Sequence, residues 1–282
     1  MFKLLNRISP SFRLENDPIT YDDSKTVKPI SVSRLRVTPF IKRRICALRK
    51  KINVSFKFIA NKRLTVVIPF RDREDHLKKL IPILVESLSK QSINYSILVV
   101  EQAEDSLFNR GYLKNIGAHY SSKNTDYYVF HDVDALPVHA DYRCPSNPLR
   151  LVKKFTSTWR MKEALDGTNF GGVVSFLKHD FESVNGYSNQ YWGWGKEDDD
   201  IFIRMILKGL APFEDTSGVF SELINPNHQL RSNASIIRKN KQKKSRMLRG
   251  LEQFENDGLN SLHYKIIDEQ DYDDYKKIKV SI

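Results

Sequence analysis

Residues 64–70, LTVVIPF, decide how the fold is read. Val66, Val67 and Ile68 are contiguous and β-branched, which suits a strand covered on both faces. The next stretch, RDREDHLKKLIPILVESLSK (71–90), changes period. Leu77, Leu80, Ile81 and Leu84 fall on one side of a helix, with Pro82 placed to kink it. YSILVVEQ (95–102) repeats the buried-strand pattern, and LFNRGYLKNIGAHY (107–120) reads as a second helix. YYVFHDVDALP (127–137) is a third strand, closed by Pro137. This alternation predicts an α/β fold with a mainly parallel sheet and right-handed crossovers. Ligands bind such sheets beyond the carboxyl ends of the strands, so RDR and DVD mark the expected site.

Outward from this core the chain is less regular. FGGVVSFLK (170–178) is a further strand, and Gly171 and Gly172 allow close backbone approach. A helix is expected near 151–165, an irregular stretch at 179–195, a helix over EDDDIFIRMILKGL ended by Gly209, and one or two strands in the tail. Residues 1–60 form a basic appendage, with residues 61–282 as the main domain. Within it, RLRVTPFIKRRICALRKKINVSFKFI (34–59) interleaves basic and apolar residues. It suits either an anionic membrane surface or a helix packed on the main domain.

The 282 residues carry a formal charge of +12, which calls for an acidic partner: nucleic acid, an anionic membrane or a nucleotide-linked substrate. The basic run RKNKQKKSRMLR (238–249) lacks interleaved aromatics, so it reads as a solvated loop near a diphosphate and not as a nucleic-acid site. Two cysteines, Cys46 and Cys144, make no disulfide framework and point to a reducing compartment. No apolar run reaches membrane-spanning length.

Three clusters carry chemistry. In HDVD, Asp132 and Asp134 share one side of an extended segment and suit a hard divalent cation on a diphosphate; the competing reading is a turn capped by aspartates. Arg71, Arg73 and Arg110 stand at the same sheet edge, either as a phosphate pocket beside a helix N-terminus or as solvated turn residues. NGYSNQYWGWGKEDDD (185–200) joins tryptophans and glycines to four carboxylates. Carboxylates in a first helical turn complement the macrodipole, but massed like charge also raises a pKa toward the range of a general base.

FRDR, FNRGYLKNIG, HDVDALP, FGGV, NGYSNQYWGWGKEDDD and DGLNSLHY, in this order over about Leu64 to Ile282, resemble the β-1,4-galactosyltransferase family. The resemblance implies a GT-A fold, a Rossmann-like nucleotide-sugar-binding sheet with helices on both faces. It also implies a UDP-sugar donor, Mn²⁺ (with Mg²⁺ as the substitute ion), and inverting transfer to a glycan acceptor. It places Pro69, Phe70, Arg71, Arg73, Phe108, Arg110, Asp132 and Val133 in the uridine-diphosphate pocket. Asp134 and His228 bind the metal, with Asn225 beside them. Trp194 sits on a loop that closes over the donor. Asp198 is the base, while Glu197 and Asp199 hold sugars, with Asn169, Gly171, Gly172 and Lys196 contributing to substrate binding.

Four departures from the family pattern shape the expectation. Asn225 and Asn227 replace a third metal ligand; Asn169 replaces a Tyr, which makes UDP-GalNAc the alternative donor to UDP-galactose. Lys196 replaces a Gly of the N-acetylglucosamine-acceptor enzymes and resembles the xylose-acceptor member. Cys144 lacks its disulfide partner. The unpaired Cys144, with no membrane-spanning run, sets the expectation of a cytoplasmic, bacterial-type enzyme, peripheral on the inner membrane face, that builds capsule or lipopolysaccharide glycan on an acceptor that is free or lipid-linked. A reading from another class is a catalytically silent glycan- or lipid-binding protein.

Overall fold

The computed structural model describes residues 27–30, 43, 56–103, 106–156, 170–223, 234–248 and 254–282. In chain order its strands are β1 (Val27–Pro29), β2 (Phe58–Ile59), β3 (Arg63–Phe70), β4 (Asn94–Gln102), β5 (Tyr127–His131), β6 (Ala135–His139) and β7 (Cys144–Pro145). There follow β8 (Leu149–Arg150), β9 (Lys154–Phe155), β10 (Val173–Leu177), β11 (Phe213–Asp215), β12 (Val219–Glu222), β13 (Lys265–Asp271) and β14 (Lys276–Ser281). The helices are α1 (Glu74–Ser89), α2 (Arg110–Ser121), α3 (Lys178–Ser183), α4 (Glu197–Lys208) and α5 (Ala234–Leu248).

Among the described residues, one nine-stranded sheet runs β1-β11-β8-β10-β5-β3-β4-β14-β13. Its centre is the expected parallel array: β3 pairs in parallel with β4 and β5, and β14 with β4. Away from the centre the sheet is mixed: β10 is antiparallel to β5 and β8, β11 is parallel to β8, and the edge strands β1 and β13 are antiparallel to β11 and β14. Every residue of β3 after Arg63 is buried because helices cover both faces. Val66 and Ile68 meet Leu77, Leu80 and Leu84 of α1, whereas Val67 points the other way onto Leu113 and Ile116 of α2. Pro82 sits on the exposed side of α1 without ending it. The second core leaves no room at Gly117, where an added Cβ would lie 2.3 Å from Val67 Cγ1.

Several expectations need correction. The third strand stops at His131, not at Pro137: Pro137 lies inside β6, which belongs to a separate sheet β6-β12-β9. The residues between, Asp132–Asp134, form a turn closed by Ala135 N–H donating to Asp132 O at 3.1 Å. Leu151–Thr156 is loop and strand where a helix was expected, and 157–169 lie outside the described residues. The stretch at 179–195 begins with the short α3. The basic run is no loop, since 234–248 form α5. Its side chains Asn240, Lys244 and Met247 are buried, and Met247 packs on Ile203 of α4. Two tail strands are present, β13 and β14. From the stretch 1–60, Val27–Pro29 adds an edge strand to the large sheet on β11.

Candidate active site

The cleft lies beyond the carboxyl ends of β3, β4 and β5. It is lined by the β3 end, the start of α2, the Asp132–Asp134 turn and the loop before α4. Among the predicted residues, Pro69, Arg71, Arg73, Phe108, Arg110, Asp132, Val133, Asp134 and Trp194 all line it, together with Gly193 and Gly195. Phe70 does not. Neighbouring strand residues face opposite sides, so with Pro69 on the cleft the Phe70 ring is buried in the core with Leu77 and Val99.

Each lining element is held for a local reason. At the start of α2, the Asn109 side chain accepts from Tyr112 N–H at 3.0 Å and donates to Asn189 O at 2.7 Å. This N-cap fixes Arg110 in the first helical turn, facing the cleft. Gly172 O accepts from Asp132 N–H at 3.0 Å, so the FGG segment supports the DVD turn from behind. His131, pushed down to about 4 by burial, is neutral. Its Nδ1 faces Asp132 O, which only accepts, so Nδ1 donates (3.0 Å) and Nε2 accepts from Tyr142 Oη at 3.0 Å. Across the cleft, Gly193 (φ 75°), Gly195 (φ 92°) and Lys196 (φ 86°) all take left-handed backbone angles and turn the chain sharply into α4. Trp194 stands 38% exposed on this turn. The turn is tied down by Gly193 N–H donating to Phe108 O at 2.8 Å. The Asn240 amide of α5 adds bonds to the carbonyls of Trp192, Trp194 and Gly195 at 3.1–3.3 Å.

The EDDD run divides by helical geometry, since successive residues on a helix do not face each other. Glu197 is buried and takes Arg110 Nε at 2.6 Å and also pairs with its Nη2. Asp198 Oδ2 accepts from Arg110 Nη2 at 3.0 Å, and its Oδ1 lies 3.5 Å from Lys114 Nζ. Asp199 meets Lys196 at 3.2 Å and Lys244 at 2.7 Å. Asp200 turns inward to Arg204 Nε (2.6 Å) and Tyr191 Oη (2.9 Å). Arg110 also reaches Asp132 Oδ2 at 2.9 Å, and so gathers three carboxylates. Burial opposes the charge on Arg110, but Asp132, Glu197 and Asp198 override it and hold the guanidinium protonated. Asp198 behaves differently. Burial pushes its carboxyl up to about 6, helped by Glu197 and Asp132 and opposed by Arg110 and Lys114.

Asp134 is buried at the cleft floor and accepts from Arg73 Nη1 at 3.2 Å. Its hard oxygens suit a divalent cation. Among the described residues no group of three His, Cys, Asp or Glu gathers to hold an ion. His228, Asn225 and Asn169, all expected at the site, lie outside the described residues. Sequence reasoning missed Lys114 and Asn240. Lys114 was discoverable, four residues after Arg110 and so on the same side of α2. Asn240 carried no such signal. Cys144 is a buried free thiol, pushed up to about 12 by burial.

Two family models match the chain, one described as the N-terminal region of glycosyl transferase group 7 over residues 51–145 and one as the N-terminal domain of galactosyltransferase over 152–226. Together they take in more than half of it. Human β-1,4-galactosyltransferase 1 is 36% identical over 235 residues, which is 78% of this chain and 55% of the relative. Drosophila melanogaster β-1,4-galactosyltransferase 7 is 31% identical over 216 residues, 73% of this chain and 63% of that protein. The chain thus spans about half to two thirds of the length of these curated relatives. A solved structure of a Drosophila β-1,4-galactosyltransferase 7 mutant, in complex with manganese, UDP-Gal and xylobiose, matches with a TM-score of 0.66 at 27% identity. It covers 78% of this chain and 94% of that one.

Proposed function

The chain belongs to the β-1,4-galactosyltransferase family and has its GT-A fold. On that premise we propose that it transfers galactose from UDP-galactose to a hydroxyl of a sugar acceptor, with inversion and a β-1,4 linkage. The observation that carries the reading is the Arg110 cluster. In it a single cation at the cleft gathers Asp132, Glu197 and Asp198, and Asp198 is left with its carboxyl at about 6.

Asp198 is the base. A carboxylate near neutrality is ionised at working pH and still basic enough to take a hydroxyl proton in the transition state. Arg110 and Lys114 occupy two of its roughly four lone-pair directions, and the others remain for an acceptor hydroxyl. Glu197 positions Arg110 and, with Asp199, the sugars. Arg71, whose guanidinium lies 5.4 Å from the Phe108 ring centroid, joins Pro69, Arg73 and Val133 around the uridine diphosphate. Trp194 covers the donor and excludes water that would hydrolyse it. Asp134 and His228 would hold Mn²⁺, which when bound supplies charge stabilisation for the leaving diphosphate. The relative solved with UDP-Gal and manganese supports the donor and ion, and its xylobiose supports a sugar acceptor. Lys196, a cation at the acceptor side of α4, is proposed to set acceptor choice. The catalytic unit takes in β1 and β2 as well as residues 61–282, because Val27–Pro29 pairs with β11 and Phe58–Ile59 with β7, while the basic segment ahead of β2 lies on an anionic membrane that presents a lipid-linked acceptor. Among the described residues no helix is long and apolar enough to cross a membrane.

The test is UDP release with Mn²⁺ and a panel of UDP-sugars, with and without xylosides and N-acetylglucosaminides. UDP-galactose turnover stimulated by an acceptor is expected. No turnover of any UDP-sugar, or wild-type turnover by Asp198→Asn, overturns the reading. Preference for UDP-GalNAc would replace the donor alone.

A further inference from the structure

Lys114 lies in the first half of α2, where the helix packs on the sheet through Leu113 and Ile116. Packing there calls for apolar side chains. An ammonium with no exposed side-chain surface is costly unless specific groups face it. Among the described residues two do. Asp198 Oδ1 lies 3.5 Å away, and the Tyr187 ring centroid lies 4.6 Å away, within cation–π range.

We infer that Lys114 is a positioning residue for the general base, a buried cation that fixes the plane of the Asp198 carboxylate and balances its charge. The inference rests on Asp198 being that base. Two observations carry it. First, the two Asp198 oxygens are held by different cations on one helix, Oδ2 by Arg110 and Oδ1 by Lys114, four residues apart. Two anchors from one rigid element fix a carboxylate's orientation where one would let it swing. Second, the charges around Asp198 do not balance on Arg110 alone. Asp132 from the turn after β5 and Glu197 from α4 share that guanidinium with Asp198. Without Lys114 that shared guanidinium is the one cation left paired with Asp198 among the described residues. Asp198, already raised by burial, then protonates first and is lost as a base at neutral pH.

The test compares wild type with Lys114→Met, which keeps the length and removes the charge, and Lys114→Arg, which keeps the charge. Two quantities are measured. One is the acidic limb of kcat/KM for acceptor at saturating UDP-galactose and Mn²⁺. The other is the carboxyl titration of Asp198 by ¹³C NMR, assigned with Asp198→Asn. In Lys114→Met both midpoints are expected to move up by about one pH unit, from loss of an opposite charge at this range. The variant would then lose about tenfold in kcat/KM on the acidic side and much less on the alkaline plateau. In Lys114→Arg both stay near wild type. If Lys114→Met does not fold, Lys114→Gln takes its place. Midpoints that stay put in the neutral variant overturn the inference, whatever happens to stability. Failure of the base reading looks different. Asp198→Asn would then retain wild-type turnover, whereas an inactive Asp198→Asn with an unmoved limb removes only the role of Lys114.

Discussion

Asp198→Asn exchanges a carboxylate for a neutral amide of nearly the same shape, and its effect on stability can be worked out from the site. The folded protein holds this carboxyl at about 6 against an ordinary 3.8, chiefly because burial disfavours the charged form. A group whose pKa is raised by folding stabilises the native state when protonated, and that contribution is lost as pH rises through the folded value. Below about pH 3 the group is neutral in both states. Above about pH 6 it is ionised in both, and the native state carries the full penalty. The side chain is only 14% exposed, so solvent screening leaves most of the effect in place. The penalty comes to about 2 kcal/mol at pH 5 and about 3 kcal/mol at pH 7.5. Asp198→Asn escapes it at every pH. Urea unfolding of both proteins at these two pH values should therefore show the variant gaining about 1 kcal/mol relative to wild type between them, a change of roughly fivefold to tenfold in the folded-to-unfolded ratio. Over the same range it should lose galactosyl transfer by a factor of roughly 10² to 10⁴. A stability difference that is flat with pH, or that shrinks as pH rises, would refute the claim that the fold holds this carboxyl high.

The neighbouring Asp200 makes the opposite case. Arg204 is buried between Asp200 and Asp257, and Arg204→Met should cost about 3–5 kcal/mol because it strands buried carboxylates; a urea-derived loss under 1 kcal/mol would contradict this. Asp134→Ala should weaken Mn²⁺ binding by calorimetry at least tenfold, and an unchanged affinity would take Asp134 out of the metal site. Gly117→Ala sets helix propensity, a gain of about 1 kcal/mol, against a Cβ 2.3 Å from Val67. Overpacking of about 1–3 kcal/mol should win, so thermal unfolding should show a net loss; a net gain would mean that β3 yields easily.

How much of this was legible depends on whether the deciding contact was local. The parallel core was, because LTVVIPF and YSILVVEQ carry their burial in their own composition, and helix patterning between them leaves few topologies. The turn at Asp132–Asp134 was not. Its geometry is imposed by Gly172 O and by the His131–Tyr142 pair, both contributed from elsewhere in the chain. Pro137, a strong stop signal in sequence, became an ordinary member of β6, paired with Phe220.

The site shows the same division more sharply. Strand periodicity alone separates Pro69, which lines the cleft, from Phe70, which is buried in the core. The EDDD run needed more. Read linearly, four adjacent carboxylates repel and seem to serve one purpose. Placed on a helix, they point in different directions, and each result depends on what waits there. Two partners lie within reach of local reasoning, Arg204 four residues after Asp200 and Lys196 three residues before Asp199. Arg110 and Lys114 come from α2, and Lys244 comes from a basic run whose sequence suggests solvent. Asp198 stands apart because burial, helped by Glu197 and Asp132, disfavours its charge more than Arg110 and Lys114 favour it, a balance that no single segment contains. Folding therefore turns a uniform acidic run into a structural anchor at Asp200, a lysine-clamped group at Asp199, and one carboxylate at 198 left basic enough to act.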